Sequence, residues 1–442
     1  MKGTWRSGPL AVRSFRWLCG GQFASTIGDY CYAVALPWLV LSAHGGAILL
    51  GTVLACYGVP RTVLIPVGGV LADKLGPRTL MLAADAMRCV AVAALAVLAA
   101  RHVTSLAALG PIAVFTGAGE GLFIPASFAI MPTLLDGKRL AAGNALSTAA
   151  VQAGSLLGPA LGGGLVAATR SSTAAFAVDA ASFGVSALTL LLIPRRPAGG
   201  SVAAEAEAMT EAGAGTAEPG SAGGGVLALL RRSRELQVIL VVVIAANLAS
   251  GGMGDVALPA LAHAGYGAAG YGALLACFAV GGIAGTLGAA RTGNLRAPAT
   301  FASAVFLAEA AAIALVPFAG GAAGAAVMLG VVGACNGLGN VTMLTVVQKR
   351  VSPGLLGRVM GVLMLCSFGT FPLSVAVSGV LVRHLGPAPF FPVAGALVGV
   401  AILFGLTQRE FRAFGARHEV TPEAANVADA AAEPQAAEGS RK

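Results

Sequence analysis

Apolar residues recur in long blocks along nearly the whole of this chain, with short polar stretches between them. Each block reaches the roughly 20 residues that a helix needs to cross a bilayer core. The pattern predicts twelve spans, at 17–42, 47–72, 78–100, 105–131, 140–168 and 174–194, then 236–262, 268–290, 298–318, 321–347, 355–382 and 388–407. Six spans fall on each side of a break, "RRPAGGSVAAEAEAMTEAGAGTAEPGSAGGG", whose Gly, Ala, Pro and Glu lack any apolar period and predict a flexible linker. The organisation read from this pattern is an N-terminal segment 1–16, a six-helix bundle 17–194, a linker 195–235, a second bundle 236–407 and a disordered tail 408–442.

Composition agrees with the blocks. Of 442 residues, 57% are hydrophobic and 11% charged, against about a quarter charged in soluble domains. The net charge of +9 does not indicate nucleic acid, because the bases sit at the ends of apolar runs and not on one face. The seven cysteines lie inside apolar runs, without CxxC or other metal-ligand spacing, and read as packing residues. Met1 to Ser14 is basic and polar and runs into a full-length span, so no cleaved signal peptide is expected.

Lys and Arg set an orientation. With a cytoplasmic N-terminus, 23 of the 28 fall in cytoplasmic segments; Arg101, Arg170 and Arg383 fall outside, and Arg61 and Arg88 lie within spans. Both termini and the linker are thus expected in the cytoplasm of a cell-membrane protein.

The two halves resemble each other. "LACYGVPRTVLIPVGGVLADKLGPRTL" (54–80) aligns without gaps on "LACFAVGGIAGTLGAARTGNLRAPATF" (275–301), pairing Asp73 with Asn294 and Pro77 with Pro298. "ASTIGD", ending at Asp29, echoes "ASGGMGD", ending at Asp255, and "GAGEGL" sets Glu120 opposite Asn336 in "GACNGL". Two repeated six-span halves suggest a substrate path between them.

"GGVLADKLGPRTL" joins spans 2 and 3. Gly76 punctuates the turn, Pro77 suits the first turn of the next helix, and Asp73 can face helix N–H groups. Gly69-x-Leu71-Ala72-Asp73-Lys74-x-Gly76-x-Arg78 resembles the gate motif of the major facilitator superfamily, with Pro77 a departure where a base is usual. The resemblance covers about residues 15–410. It implies an all-α integral membrane fold of twelve transmembrane helices in two pseudo-symmetric six-helix bundles, working by alternating access. It also implies that Asp73 latches onto the start of span 11 when the protein is open to the outside.

A second motif, Gly154-x3-Gly158-Pro159-x2-Gly162-Gly163 in span 5, provides a smooth face for close helix packing and a possible bend. It is similar to the antiporter motif of the family's drug exporters, with Ala145 in place of an upstream glycine. The base those exporters often carry in span 4, four residues before a glycine, is absent: that position is Gly117. "GQFASTIGDYCYAVALPWLV", "GVPRTVLIPVGGVLAD" and "DAMR" resemble instead the branch of macrolide efflux proteins and the enterobactin exporter.

A charge inside the bilayer costs several kcal/mol unless paired or wetted, so each is a functional candidate. Asp29, Arg61 and Glu120 fall near mid-depth of spans 1, 2 and 4. Asp29 is expected to pair with Arg61, and Glu120 or Asp29 to take a coupling proton. Asp85 and Arg88, three apart, are expected to neutralise each other, and Asp179 to sit at the outer interface near Arg170. Asp255, Glu309, Asn336 and Asn340 are further candidates, the asparagines either lining a cavity or bonding helix to helix. Tyr30, Tyr32, Trp38 and Phe123 are candidate aromatic contacts.

No GxxxxGK, HExxH or GxSxG stretch is present, so neither ATP coupling nor an enzyme is indicated. The expected function is proton-coupled export of a small hydrophobic compound such as a drug, antibiotic or siderophore-like metabolite. No cofactor is expected beyond a proton gradient, no partner beyond substrate and lipid, and a monomer. A nutrient importer of the same fold and a transporter-like sensor or lipid-moving protein are the alternatives. A cysteine placed at Ser201 in the linker should resist a membrane-impermeant maleimide in intact cells; labelling from outside would invert the topology.

Overall fold

The computed structural model describes residues 8–43, 46–194, 234–289, 297–350 and 353–408. The expected linker and tail, and the loop holding Arg291 and Arg296, lie outside them. Twelve helices long and apolar enough to cross a membrane are found there. They are α1 (Arg13–Ser42), α2 (Gly46–Leu75), α3 (Pro77–Ala100), α4 (Leu106–Ala129), α5 (Gly137–Thr169) and α6 (Thr173–Leu191). In the second half come α7 (Arg234–Gly252, continued by a π-helical turn Met253–Ala257 and by Leu258–Gly265), α8 (Gly267–Ala289), α9 (Pro298–Leu315), α10 (Ala322–Arg350), α11 (Pro353–Leu385) and α12 (Pro387–Thr407). Each helix coincides with one apolar block, within a few residues at each end.

Proline at the first helical position opens α3, α9 and α12, where its missing N–H is not needed. Gly76 and Gly386, just before α3 and α12, have φ of 82° and 87°, a region that L side chains avoid. These two helices also bury matching positions. Leu80, Met81, Ala84, Asp85, Arg88, Ala91, Val92 and Leu95 in α3 correspond, counted from the glycine, to Phe390, Phe391, Ala394, Gly395, Val398, Ala401, Ile402 and Gly405 in α12. Gly395 and Val398 fill α12 where α3 has Asp85 and Arg88. A helix in this setting packs without charge, so the charges of α3 are not a requirement of packing.

Among the described residues the halves share an apolar core at one end. One apolar core runs through both of them, from Val34, Leu50 and Phe176 to Val256, Leu274 and Val375, on the side away from the Lys/Arg-rich loops. Toward the basic side it divides into two separate clusters, one around Phe15, Leu80, Met81 and Ile130 in the first half and one around Val238, Ile239 and Val346 in the second. Cross-half contacts follow the same division. A Cβ on Gly379 would stand 2.7 Å from the Ala47 carbonyl, and one on Gly272 would stand 2.3 Å from the Pro159 carbonyl. Trp38 stacks against His263 at 4.9 Å. The α2–α11 contact continues to mid-depth, where the Thr62 hydroxyl donates to the Phe368 carbonyl at 2.9 Å. Among the described residues the halves are therefore joined on the side opposite the basic loops and keep separate cores on the basic side.

Helix α7 departs from regular geometry for a specific reason. The Ser374 hydroxyl of α11 accepts from the Gly252 N–H at 2.7 Å and donates to the Leu248 carbonyl at 2.5 Å. It thus stands between the two groups that an α-helix would join directly. The π-helical turn that carries Asp255 begins at the next residue, as expected where a foreign polar group enters the ladder. Ser374→Ala leaves both buried groups without this partner. It should lower the stability of the solubilised protein by about 1–3 kcal/mol, read from thermal unfolding; unchanged unfolding would remove the bridge from the account.

Candidate functional site

Two charged groupings occupy mid-depth of the first half. In the first, the Arg61 Nη2 of α2 lies 3.0 Å from the Glu120 Oε1 of α4, with both side chains partly exposed. The guanidinium also faces the Tyr57 ring at 5.8 Å and, across the half-to-half boundary, the Phe368 ring at 4.8 Å. Among the described residues its Nε has no hydrogen-bond partner. Glycine makes the pair possible: a Cβ on Gly117 would fall 2.0 Å from the Tyr57 carbonyl, and one on Gly121 would fall 2.5 Å from the Arg61 carbonyl. The α2 and α4 backbones touch along this line. That contact also explains why no base stands at position 117: no side chain fits there, and the guanidinium reaches Glu120 from α2 instead.

The second grouping lies among α1, α3 and α6. Arg88 Nη2 holds Asp85 Oδ1 at 2.7 Å, and Ser186 donates to Asp85 Oδ2 at 2.6 Å. The Arg88 Nη1 lies 3.7 Å from the Asp29 Oδ1. The guanidinium is sandwiched between the rings of Phe123 at 4.6 Å and Phe183 at 4.2 Å, a favourable arrangement when desolvated. Gly119 leaves the room, since a Cβ there would meet the Arg88 Cγ at 2.6 Å. Asp29 differs from its partners in being 47% exposed.

Two expectations are corrected. Asp29 pairs with Arg88 and not Arg61, because Arg61 turns toward α4. Asp179 is not interfacial: it is 1% exposed, and a Cβ on Gly28 of α1 would fall 2.5 Å from its Oδ1. The expected Asp85–Arg88 pair is present.

The other candidates are dispersed. Asp255 sits on the π-helical turn of α7, within electrostatic range of Arg61. Glu309 of α9 is buried and accepts from Asn336 Nδ2 at 3.0 Å, and Asn340 donates to Asn336 Oδ1 at 3.0 Å. The asparagines are thus engaged in hydrogen bonds on the α9 side of α10. Tyr32 packs on Phe176 at 5.8 Å inside the first bundle, whereas Tyr30 stays partly exposed beside Gly158.

The gate-motif residues hold the basic side of the first half. Arg78 donates to the carbonyls of Leu190 at 2.8 Å and Leu191 at 3.2 Å, placing a cation at the C-terminal end of α6, where the helix dipole favours it. Asp73 and Lys74 are exposed, and Gly69 has open space beside it. The side chains at the start of α11, expected to meet Asp73, lie outside the described residues. In α5, Gly154, Gly158 and Gly162 press on Thr26, Tyr30 and Cys31 of α1, while Pro159 and Gly163 press on Gly272 and Ala268 of α8. The span-5 motif therefore has two packing faces, one toward its own half and one toward the other. Among the described residues no group of His, Cys, Asp and Glu is arranged to hold a metal.

This architecture is that of a membrane transporter, and the chain belongs to the Major Facilitator Superfamily, whose family model matches residues 18–374. It is similar to the "uncharacterized MFS-type transporter YfiS" of Bacillus subtilis, 28% identical over 90% of this chain and 94% of that protein. It is also similar to the multidrug efflux pump Tap of Mycolicibacterium fortuitum, 30% identical over 47% of this chain and 50% of Tap. Among solved structures the fold matches the nucleoside transporter NupG with a TM-score of 0.66, at 14% identity over 89% of this chain and 98% of that one.

Arg88→Met should cost about 3–5 kcal/mol, because Asp85 is left buried without its cation. Adding Asp85→Asn should restore much of the loss. Thermal unfolding of the two single variants and the double variant measures the coupling, and simple additivity would show that the pair is not a unit.

Proposed function

We propose that the protein is a proton-coupled exporter of small hydrophobic compounds. The observation that carries the reading is the Arg61–Glu120 pair, set at the level where the seal between the halves ends and the division toward the basic side begins. On this reading the basic side is cytoplasmic, as the Lys/Arg distribution favours, and a substrate enters the cleft from there or from the inner leaflet.

The pair couples a proton to conformation through charge. With Glu120 ionised, Arg61 is held toward α4. When Glu120 takes a proton, Arg61 loses that partner and turns its charge toward Asp255 across the cleft and Asp29 beside it. The rearrangement changes the attraction between the halves, and with it the balance of the two access states. Aromatic rings at Tyr57 and Phe368 flank the guanidinium and offer a flat apolar surface to a ligand. The names of Tap and of a second relative, the putative multidrug resistance protein MdtD of Pectobacterium atrosepticum, 29% identical over 36% of this chain, support export over uptake. The protein is taken to work as a monomer in the plasma membrane, with both termini inside, acting on a small molecule and not on nucleic acid.

Glu120→Gln should insert normally and abolish proton-driven efflux. The measurement is the extrusion of a panel of hydrophobic fluorescent dyes and antibiotics from an exporter-deficient host, with and without a protonophore. Efflux equal to that of the parent in the Gln variant would remove Glu120 from the coupling.

A further inference from the structure

The α1–α3–α6 cluster has more carboxyl groups than it can neutralise, and one of them has no cation. Asp85 takes the close pair with Arg88 and a Ser186 hydroxyl. Asp29 takes the looser contact with the same guanidinium. Asp179 is as buried as Asp85, yet no Lys, Arg or His forms an ion pair with it among the described residues. Its carboxyl has a single long contact, 3.5 Å from the Ser182 hydroxyl, whose closer bond goes to the Asp179 carbonyl at 2.8 Å. A buried carboxylate with one weak donor is not a stable arrangement, whereas a carboxylic acid is. The Arg88 Nε, buried in the same cluster, is also without a hydrogen-bond partner among the described residues.

The titratable groups around Asp179 are few. From α1 come Asp29, Cys31 and Tyr32; from α3 come Asp85, Arg88 and Cys89, whose thiol donates to the Ala180 carbonyl at 3.2 Å. Glu120 of α4 acts from further away. Of these, Asp29 is the most exposed acid, and it follows Gly28, on which the Asp179 carboxyl rests.

We infer that Asp179 is a second proton-binding site, distinct from Glu120, that exchanges with the passage through Asp29 while Arg88 compensates whichever of the two is ionised. In the transfer the Asp179 O–H bond breaks and an O–H bond forms on Asp29, leaving Asp179 as the carboxylate. Arg88 shifts from Asp29 toward Asp179, and the net charge of the cluster is unchanged. Charge changes only when Asp29 then releases its proton into the cleft. The site is independent of the role proposed for Glu120, and the two can fail separately.

Infrared spectroscopy of the full chain in liposomes tests this without a substrate. At neutral pH the protein should show a carboxylic-acid C=O band that shifts down when aspartate is labelled with 13C at its side-chain carboxyl. Asp179→Asn should lose that label-sensitive band, and Glu120→Gln should keep it. If Asp179→Asn does not fold, the conservative Asp179→Glu serves: the label-sensitive band should vanish and an unlabelled glutamic-acid band should replace it. In Asp29→Asn the band should remain but exchange more slowly in D2O. Absence of any aspartic-acid band, or its persistence in the position-179 variants, would overturn the site. Unchanged exchange in Asp29→Asn would overturn the route.

Discussion

A guanidinium buried in an apolar bundle can satisfy only the acids that reach it, and this protein places two guanidiniums, Arg61 and Arg88, among more carboxyl groups than they can neutralise. That shortage governs the first half of the molecule. Arg61 takes Glu120 at 3.0 Å, Arg88 takes Asp85 at 2.7 Å, and Asp29 is left with a contact of 3.7 Å. Burying ion pairs does not in itself stabilise a fold, and α12 shows the same burial pattern as α3 without any charge. Packing therefore does not account for the charges of α3.

Glycine is what allows these charges to meet. Residues 117, 119 and 121 of α4 are all glycine, and each admits something that a side chain would exclude: the Tyr57 backbone, the Arg88 stem and the Arg61 backbone. The same device seals the side away from the basic loops, through Gly272 on Pro159 and Gly379 on Ala47. Close backbone contact gives large packing gains over short distances, and few side chains have to repack when such a contact parts.

Much of the fold was readable in the sequence, because a bilayer demands about 20 apolar residues per helix and the blocks supply them. The groupings of charge were readable only in part. Counting residues gives the height of Asp29 and Arg61 in the membrane but not the direction in which each points, and direction decided their partners. Asp85 and Arg88 were visible as a pair from their spacing; the second reach of Arg88, to Asp29, depends on α1 and α3 both packing on α6. Asp179 was placed at the interface by its distance from Arg170, although a signal was available. Asp179, Ser182, Ser186 and Thr189 recur at intervals of three and four on α6, and all are buried. The π-helical turn had no comparable signature, since its cause, Ser374, lies 122 residues away.

That inserted serine has a mechanical consequence. A regular helix transmits rotation along its length because every turn is bolted to the next. At Leu248 and Gly252 the Ser374 hydroxyl of α11 takes the place of one such bond, and a π-helical turn follows before the regular helix resumes at Leu258. Beyond that turn the helix carries His263, which meets Trp38 and Ser42 of the other half, so one hydroxyl of α11 shapes a helix that ends on the contact between the halves.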